Sequence, residues 1–332
     1  MSAPRVAAIV VQFGDDDVCS LCLESISQSE DVEPFTIVVD HNPQTSSRLR
    51  DLVTSSEGAY LSNSTNPGFA AGANAGIRDA LGRKGWDFLA VLNADVRLAK
   101  DCLHRLHEAL ESTPGCGIAG PGILSESNPD TWWNAGGEVV WPSGKPRSFR
   151  HGSPRPEGGG VPSGLANPLL DVGFVCGAVL AFRPPLLEKT GMLPEHYFLY
   201  FEDADFSFRV RGAGFRTVVV PDALAWHRGG ESLAGQPSVT AYYRARNRLI
   251  FSKAWNPCRV RGRVYRLLFV LRTLALSLLR FLSSFRTKSL LPALGAVDYL
   301  RGVRGKRELM DQQQAELESS EPGPGPHGKS PK

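Results

Sequence analysis

Val6–Val11 (VAAIVV) is apolar at every position, so both faces of that segment must be covered. A strand of this kind belongs inside a parallel sheet flanked by helices, and the next ninety residues repeat the theme. A helix is predicted over Val18–Ser27, then a strand over Phe35–Val39 that ends in the turn-forming cluster Asp40-His41-Asn42-Pro43. A short strand at Ala59–Ser62, an Ala/Gly-rich helix at Phe69–Leu81 and a strand at Phe88–Leu92 follow, the last stopping at Asn93-Ala94-Asp95. Lys100–Ser112 reads as an amphipathic helix ended by Pro114-Gly115. Strands alternating with helix-length segments predict βαβ units, hence an α/β fold with a mainly parallel central sheet.

From about 125 to 170 Pro, Gly and Ser crowd the chain, punctuated by Trp132, Trp133 and Trp141. This predicts a long loop or small hairpin inserted in the domain, with the tryptophans serving its packing in preference to stacking on sugar. Regular structure returns over Asp171–Phe182, in a helix at Pro185–Thr190, in a segment helical over most of Tyr197–Arg211, in a strand at Thr217–Val220 and in a helix at Tyr242–Trp255. Residues 311–332 are polar and Pro/Gly-rich, and disorder is expected there.

Hydrophobic residues make up 42% of the 332 positions and charged residues 21%, which supports a large core and excludes wholesale disorder. The net charge of +3 conceals an asymmetry: residues 258–307 carry twelve Lys and Arg against one acid, Asp298, and the rest of the chain is acidic. An acidic body with a basic tail is not a nucleic-acid binder with a basic face; it points to a local anionic partner, above all a membrane surface. Residues 264–282 set Arg266, Arg272 and Arg280 among dense aliphatics. No uninterrupted apolar run reaches the roughly 18 residues of a span, so a helix lying in the membrane interface is predicted. The first ten residues run into a strand pattern in place of a secretory signal. The lone Cys19-x-x-Cys22 reads as ordinary thiols of a reducing compartment.

Chemistry-bearing residues fall in four groups. Asp40 and Asp95 directly follow apolar strands, where α/β sheets bind ligands and where a carboxylate serves a sugar, a base edge or a hard cation. Glu202, Asp203 and Asp205 crowd three carboxylates into four residues among aromatics, a setting that raises a carboxyl pKa and suits a general base. His227, in a predicted loop after a Pro-Asp turn, is a candidate to complete a metal shell. Gly68, Gly72 and Gly76 recur every four residues, leaving one helix face as bare backbone, open to a ligand or to a close helix crossing.

Taken together these segments resemble the family 2 glycosyltransferases of GT-A fold, in particular the bacterial rhamnosyltransferase-like branch. The likeness is carried by the Asp40 strand end, the N-x-G-F-A-A-G-x-N-x-G run from Asn66 to Gly76, the Asn93-Ala94-Asp95 strand end and YFLYFEDADFSFRVRGAG from Tyr197 to Gly214, and it spans about residues 5–255. The resemblance implies a catalytic domain over 1–257, followed by a basic amphipathic helical segment over 258–310 and the tail. It implies an inverting, metal-dependent transferase that moves rhamnose or another hexose from a nucleoside-diphosphate sugar to a hydroxyl. It places Asp40 at the nucleotide base, and Asp95, last acid of a D-x-D-like motif with Asn93 in first position, at the cation and donor diphosphate. Gly68, Asn74, Arg246 and Asn247 fall with the donor, Asp203 with its neighbour Glu202 on the acceptor side as base, and His227 with Asp95 in the shell of a Mg2+ or Mn2+ ion. The donor implied is dTDP-rhamnose, with UDP-sugars next, and the acceptor a glycan or lipid-linked one at the cytoplasmic face of the plasma membrane. A sugar-nucleotide pyrophosphorylase also uses acids at strand ends, but Val6–Asp17 holds no Lys or Arg for its basic fingerprint. A sugar-binding module would need no metal site.

Overall fold

The computed structural model describes residues 2–42, 47–155, 169–229 and 237–307. Pro43, Gly230, the later half of the predicted insertion and the 311–332 tail lie outside the described residues. The N-terminal half runs β1 (Arg5–Gln12), α1 (Asp16–Ser27), β2 (Glu33–Asp40), α2 (Ser47–Ser55), β3 (Ala59–Ser62), α3 (Phe69–Arg83), β4 (Phe88–Asn93), β5 (Val96–Leu98), α4 (Cys102–Ser112) and β6 (Cys116–Ser125). There follow β7 (Trp132–Asn134), β8 (Gly137–Val140), β9 (Lys145–Ser148), β10 (Leu170–Asp171), β11 (Val179–Phe182), α5 (Leu186–Thr190), α6 (Glu202–Gly212), β12 (Arg216–His227), α7 (Pro237–Trp255), α8 (Arg259–Ser284) and α9 (Leu291–Leu300).

Among the described residues the main sheet has ten strands, with the order β10-β12-β6-β11-β4-β1-β2-β3 along its length. Pairs β1–β2, β1–β4, β2–β3 and β6–β12 are parallel, and β11 runs antiparallel between β4 and β6. The all-apolar first strand sits at its centre: Val6, Ala8 and Val10 pack with α1 and α4 on one face, and Ala7, Ile9 and Val11 with α3 on the other. Register brings Gln12 beside Asp40, Asp40 beside Ser62 and Val11 beside Asn93, so the carboxyl ends of four strands meet at one edge.

Several elements differ from the sequence expectation, each for a physical reason. Strand β6 (CGIAGPGILS), a stretch given no element from the sequence, carries glycine and proline; a side chain on Gly120 would enter Val175, and one on Gly122 would enter Trp132. Strand β12 continues through Pro221-Asp222 with a register irregularity between Val220 and Leu224, so His227 ends a twelve-residue strand and does not lie in a loop. The insertion holds the β8–β9 hairpin, with Trp132 buried and Trp141 stacked on Phe251 at 5.9 Å.

Tyr197–Phe201 is not helical beyond one 3-10 turn: Phe198, Tyr200 and Phe201 have φ of 67°, 66° and 78°, and α6 begins only at Glu202. The bare face of α3 is filled by the protein itself. A side chain on Gly68 would meet Phe198, one on Gly72 would meet His41, and one on Gly76 would meet Ile9.

The basic C-terminal segment forms two helices with different surroundings. Helix α9 packs on α7, with Gly295 against the Tyr242 carbonyl and the buried Asp298 accepting the Tyr242 hydroxyl at 2.7 Å. Helix α8 leaves Leu267, Leu268, Leu271, Leu278, Leu279 and Leu282 more than half exposed. By length and composition α8 is also long and apolar enough to cross a membrane, although Arg266, Arg272 and Arg280 interrupt its aliphatics.

Candidate active site

Asp95 and His227 come from separate strand ends and meet at the edge of the sheet. Pairing of β5 with β12 sets His227 opposite Val96, which brings its Nε2 to 3.1 Å from Asp95 Oδ1. The Asn93 side-chain amide stands 3.3 Å from the same Nε2. Trp133 covers the imidazole with ring centres 4.2 Å apart, and His227 Nδ1 is buried with no hydrogen-bond partner among the described residues. The Arg228 amide donates to the Asp95 carbonyl at 3.1 Å, which closes the loop around the pair.

A second acid is tied to this group through two consecutive residues. The Asn93 amide donates to the Ala178 carbonyl at 3.0 Å, and the Gly177 amide donates to Asp203 Oδ2 at 3.0 Å. Asp203 Oδ1 accepts the Ala204 amide at 2.7 Å. Burial pushes the Asp203 carboxyl above its usual range, against the pull of those amide donors. Glu202 is pushed up as well, by burial first and by the charge of Asp203 second, and its Oε2 has no partner among the described residues. The Cys176 thiol is raised by burial and then by the charge of Asp203, against the pull of the Ala178 amide.

The third acid of the cluster has a different office. Asp205 accepts the Tyr197 hydroxyl at 2.8 Å, Arg209 Nε at 2.7 Å and Trp255 Nε1 at 3.1 Å, so it is neutralised within the fold. Asp40, buried at the next strand end, accepts the Asn42 amide at 2.7 Å and the Tyr60 hydroxyl at 2.6 Å.

A hard cation that holds substrate phosphates needs one or two protein carboxylates and keeps its other positions for waters and phosphate oxygens. Asp95 and His227, with the Asn93 amide beside them, fit that requirement: one carboxylate and one imidazole converge, and an orphaned ring nitrogen marks the imidazole as unsatisfied. Among the described residues no three His, Cys, Asp or Glu gather into a closed metal cage.

The family model for glycosyltransferase-like family 2 matches residues 4–252, three quarters of the chain. The chain belongs to that family. This family 2 chain is 27% identical over 215 residues to the low-salt glycan biosynthesis hexosyltransferase Agl10 of Haloferax volcanii, covering 62% of this chain and 61% of that protein. It is 28% identical over 167 residues to the N-acetylglucosaminyl-diphospho-decaprenol L-rhamnosyltransferase of Mycobacterium tuberculosis, covering 46% of this chain and 50% of that protein. The aligned regions therefore span between half and about 61% of these relatives. Its fold is shared with the mannosyltransferase PcManGT of Pyrobaculum calidifontis in complex with GDP-Man and Mn2+, at a TM-score of 0.53 and 13% identity over 96% of this chain and 80% of that one. S. aureus TarS 1-349 in complex with UDP-GlcNAc gives the same TM-score at 15% identity over 93% of this chain and 83% of that one. These neighbours are GT-A enzymes, and the GT-A expectation holds.

Four residues of the family 2 chain expected at the donor also make contacts within the fold. Asn74 is buried, donates to the Leu193 carbonyl at 2.9 Å and to Glu195 Oε1 at 2.8 Å, and accepts the Leu193 amide at 3.1 Å. Gly68 lies against Phe198. Arg246, fully buried, donates to the Tyr197 carbonyl at 2.9 Å. Asn247 donates to the carbonyls of Tyr197, Leu199 and Tyr200 at 3.0, 2.7 and 3.1 Å. Arg246 and Asn247 thus hold the left-handed turn that presents Glu202 and Asp203.

Trp133, whose ring covers His227, has no sequence signal that separates it from the tryptophans that pack the insertion.

Proposed function

We propose that this chain moves a hexosyl group, rhamnose or another hexose, from a nucleoside-diphosphate sugar to a hydroxyl of a glycan or lipid-linked acceptor, with inversion at the anomeric carbon. The supporting observation is that Asn93, beside Asp95 and His227, bonds Ala178 through its backbone amide, next to the Gly177 that bonds Asp203. In this reading Asp95 and His227 hold a Mg2+ or Mn2+ ion at the donor diphosphate, with Asn93 beside them. When bound, the ion supplies a Lewis acid against the charge of the leaving group. Asp203 takes the proton of the acceptor hydroxyl; the oxygen forms its bond to the anomeric carbon on the face opposite the leaving group. The bond from that carbon to the phosphate oxygen breaks, and its electron pair departs with the nucleoside diphosphate. Asp40 keeps the nucleoside end, at the same sheet edge. The donor assigned first is dTDP-rhamnose, then UDP-sugars, in cell-wall or surface polysaccharide assembly.

The test is a donor-hydrolysis screen of the full chain across nucleotide sugars, with and without Mn2+. One donor class is turned over only with the ion, and Asp95→Asn abolishes it; ion-independent hydrolysis unaltered in Asp95→Asn overturns the reading.

We also place the enzyme at the inner face of the plasma membrane, with α8 lying along the bilayer surface and its arginines reaching the headgroups. Truncating the segment would strip α9 and its buried Asp298 from α7, so point changes are the better probe. The full chain with Leu268→Gln, Leu271→Gln and Leu279→Gln sediments less with anionic vesicles than the unaltered chain; equal sedimentation defeats the idea.

A further inference from the structure

Arg246 is fully buried, and among the described residues no carboxylate bonds it. An acid stands one hydroxyl away. Arg246 Nη1 donates to the Tyr242 oxygen at 3.4 Å, and that hydroxyl donates in turn to Asp298 Oδ2 at 2.7 Å. Asp298, also fully buried, belongs to α9 and lies outside the residues 4–252 that the family model matches. Burial first, and the Asp298 bond second, push the Tyr242 pKa up, so the phenol keeps its proton. With that proton committed to Asp298, the phenol oxygen offers its lone pairs to Arg246.

The other donors of Arg246 face the turn before α6. Nη2 reaches the Tyr197 carbonyl at 2.9 Å, and Nε donates to Asn247 Oδ1 at 3.0 Å. That second bond turns the Asn247 amide so that Nδ2 serves the carbonyls of Tyr197, Leu199 and Tyr200. Hydrogen bonds therefore run unbroken from Asp298 to the turn whose positive φ angles set the start of α6, directly ahead of Glu202 and Asp203. A second tie comes from the chain after α9. The Gly305 amide donates to the His196 carbonyl at 2.7 Å, the Arg307 amide donates to the Tyr243 hydroxyl at 3.2 Å, and Arg307 Nε stands 3.2 Å from Asp298 Oδ2.

Docking of α9 does not require that carboxylate. Leu291 packs with Val239, Tyr242 and Tyr243, Ala296 with Leu249 and Val270, and Gly295 lies against the Tyr242 carbonyl. A buried carboxylate is costly to desolvate, and apolar packing alone would seat the helix at lower cost. The effect of Asp298 falls instead on the orientation of Tyr242 and, through it, of Arg246.

Resting on the transferase reading, we propose that Asp298 is a positioning residue for the base: acting through the Tyr242 hydroxyl and Arg246, it holds the turn that sets where Asp203 stands. The segment after α8 then serves sugar transfer itself, apart from any role at a membrane.

The test is made on the full chain, well below its melting midpoint. Tyr242→Phe removes one oxygen and breaks the relay at its middle link, so kcat for sugar transfer falls about tenfold with donor KM unchanged. Asp298→Ala does the same, and Asp298→Asn, which keeps an oxygen for the hydroxyl, loses less. Asp298→Ala combined with Tyr242→Phe is no slower than either alone, because both act along one path. Amide exchange at Gly177, whose N–H is held by Asp203 Oδ2, follows the carboxylate without turnover and speeds about tenfold in Tyr242→Phe. A tie that only seated α9 would lower the melting midpoint and leave kcat and Gly177 exchange as they were. Tyr242→Phe stands in should Asp298→Ala misfold, and unchanged kcat or unchanged Gly177 exchange in Tyr242→Phe overturns the proposal. Asp203→Asn reads the transferase assignment separately: transfer lost there yet kept in Tyr242→Phe removes this role of Asp298 and leaves the base in place. A chain that transfers no sugar defeats the transferase reading, and Gly177 exchange then decides the tie.

Discussion

Asp203 accepts the amide of Gly177 at 3.0 Å, and a methyl group on Gly177 would stand 3.2 Å from the Asp203 Cβ. The two residues therefore set each other's position: the glycine gives the acid both its hydrogen bond and the space to receive it. Gly177→Ala displaces the carboxylate by a few tenths of an ångström and costs about 1–2 kcal/mol of stability. Steady-state kinetics should show kcat down by about tenfold with donor KM unchanged, since only the geometry of the base is altered.

Glu202 has the opposite relation to its surroundings, being buried with an oxygen that has no hydrogen-bond partner among the described residues. Burial and the charge of Asp203 raise its pKa on folding, so the folded chain binds the proton more tightly than the unfolded one. Stability is then undiminished below the ordinary glutamate pKa of about 4.3 and falls as pH rises through the higher folded value. Glu202→Gln removes that decline. The variant should melt above the unaltered chain at pH 9, by on the order of 2 kcal/mol, and the gap should close toward pH 4.

Asn247 donates to three carbonyls of a turn in which three aromatic residues hold positive φ. Asn247→Ala leaves those carbonyls without this donor and should destabilise the chain by about 2 kcal/mol, read as a lowered thermal midpoint, together with a fall in kcat. A residue that bound donor phosphate would instead raise donor KM with stability unchanged.

The sheet was legible because Val6–Val11 and Phe88–Leu92 are apolar on both faces, a pattern that only a covered strand satisfies. The acids were legible by type and position, since a carboxylate directly after such a strand lies at the edge of the sheet. The turn before α6 was not: FLYF has no glycine or proline, and what keeps it out of the helix are donors on Arg246 and Asn247 from a distant element. Strand β6 was hidden by Pro121 and by Gly117, Gly120 and Gly122, the three glycines leaving room for Val210, Val175 and Trp132. The same contrast explains the α3 stripe, where glycine spacing is as compatible with a ligand as with Ile9 and His41. Membership of family 2 was legible in the Tyr197–Gly214 run, whereas the division of labour within it was not: Asp205 is identical in type to Asp203, and only its three donors assign it to the fold.

Asp203 as the acceptor-side base leads to one sharp expectation about pH and substrate. Its carboxyl is raised by burial, so transfer should fall on acidification from a point above the ordinary carboxylate range. The most direct test is sugar transfer by Asp203→Asn, measured beside donor binding by the same variant. The account predicts a folded protein that binds the nucleotide sugar with unaltered affinity in Mn2+ and transfers at least about a hundredfold more slowly. Transfer at the rate of the unaltered chain would contradict it.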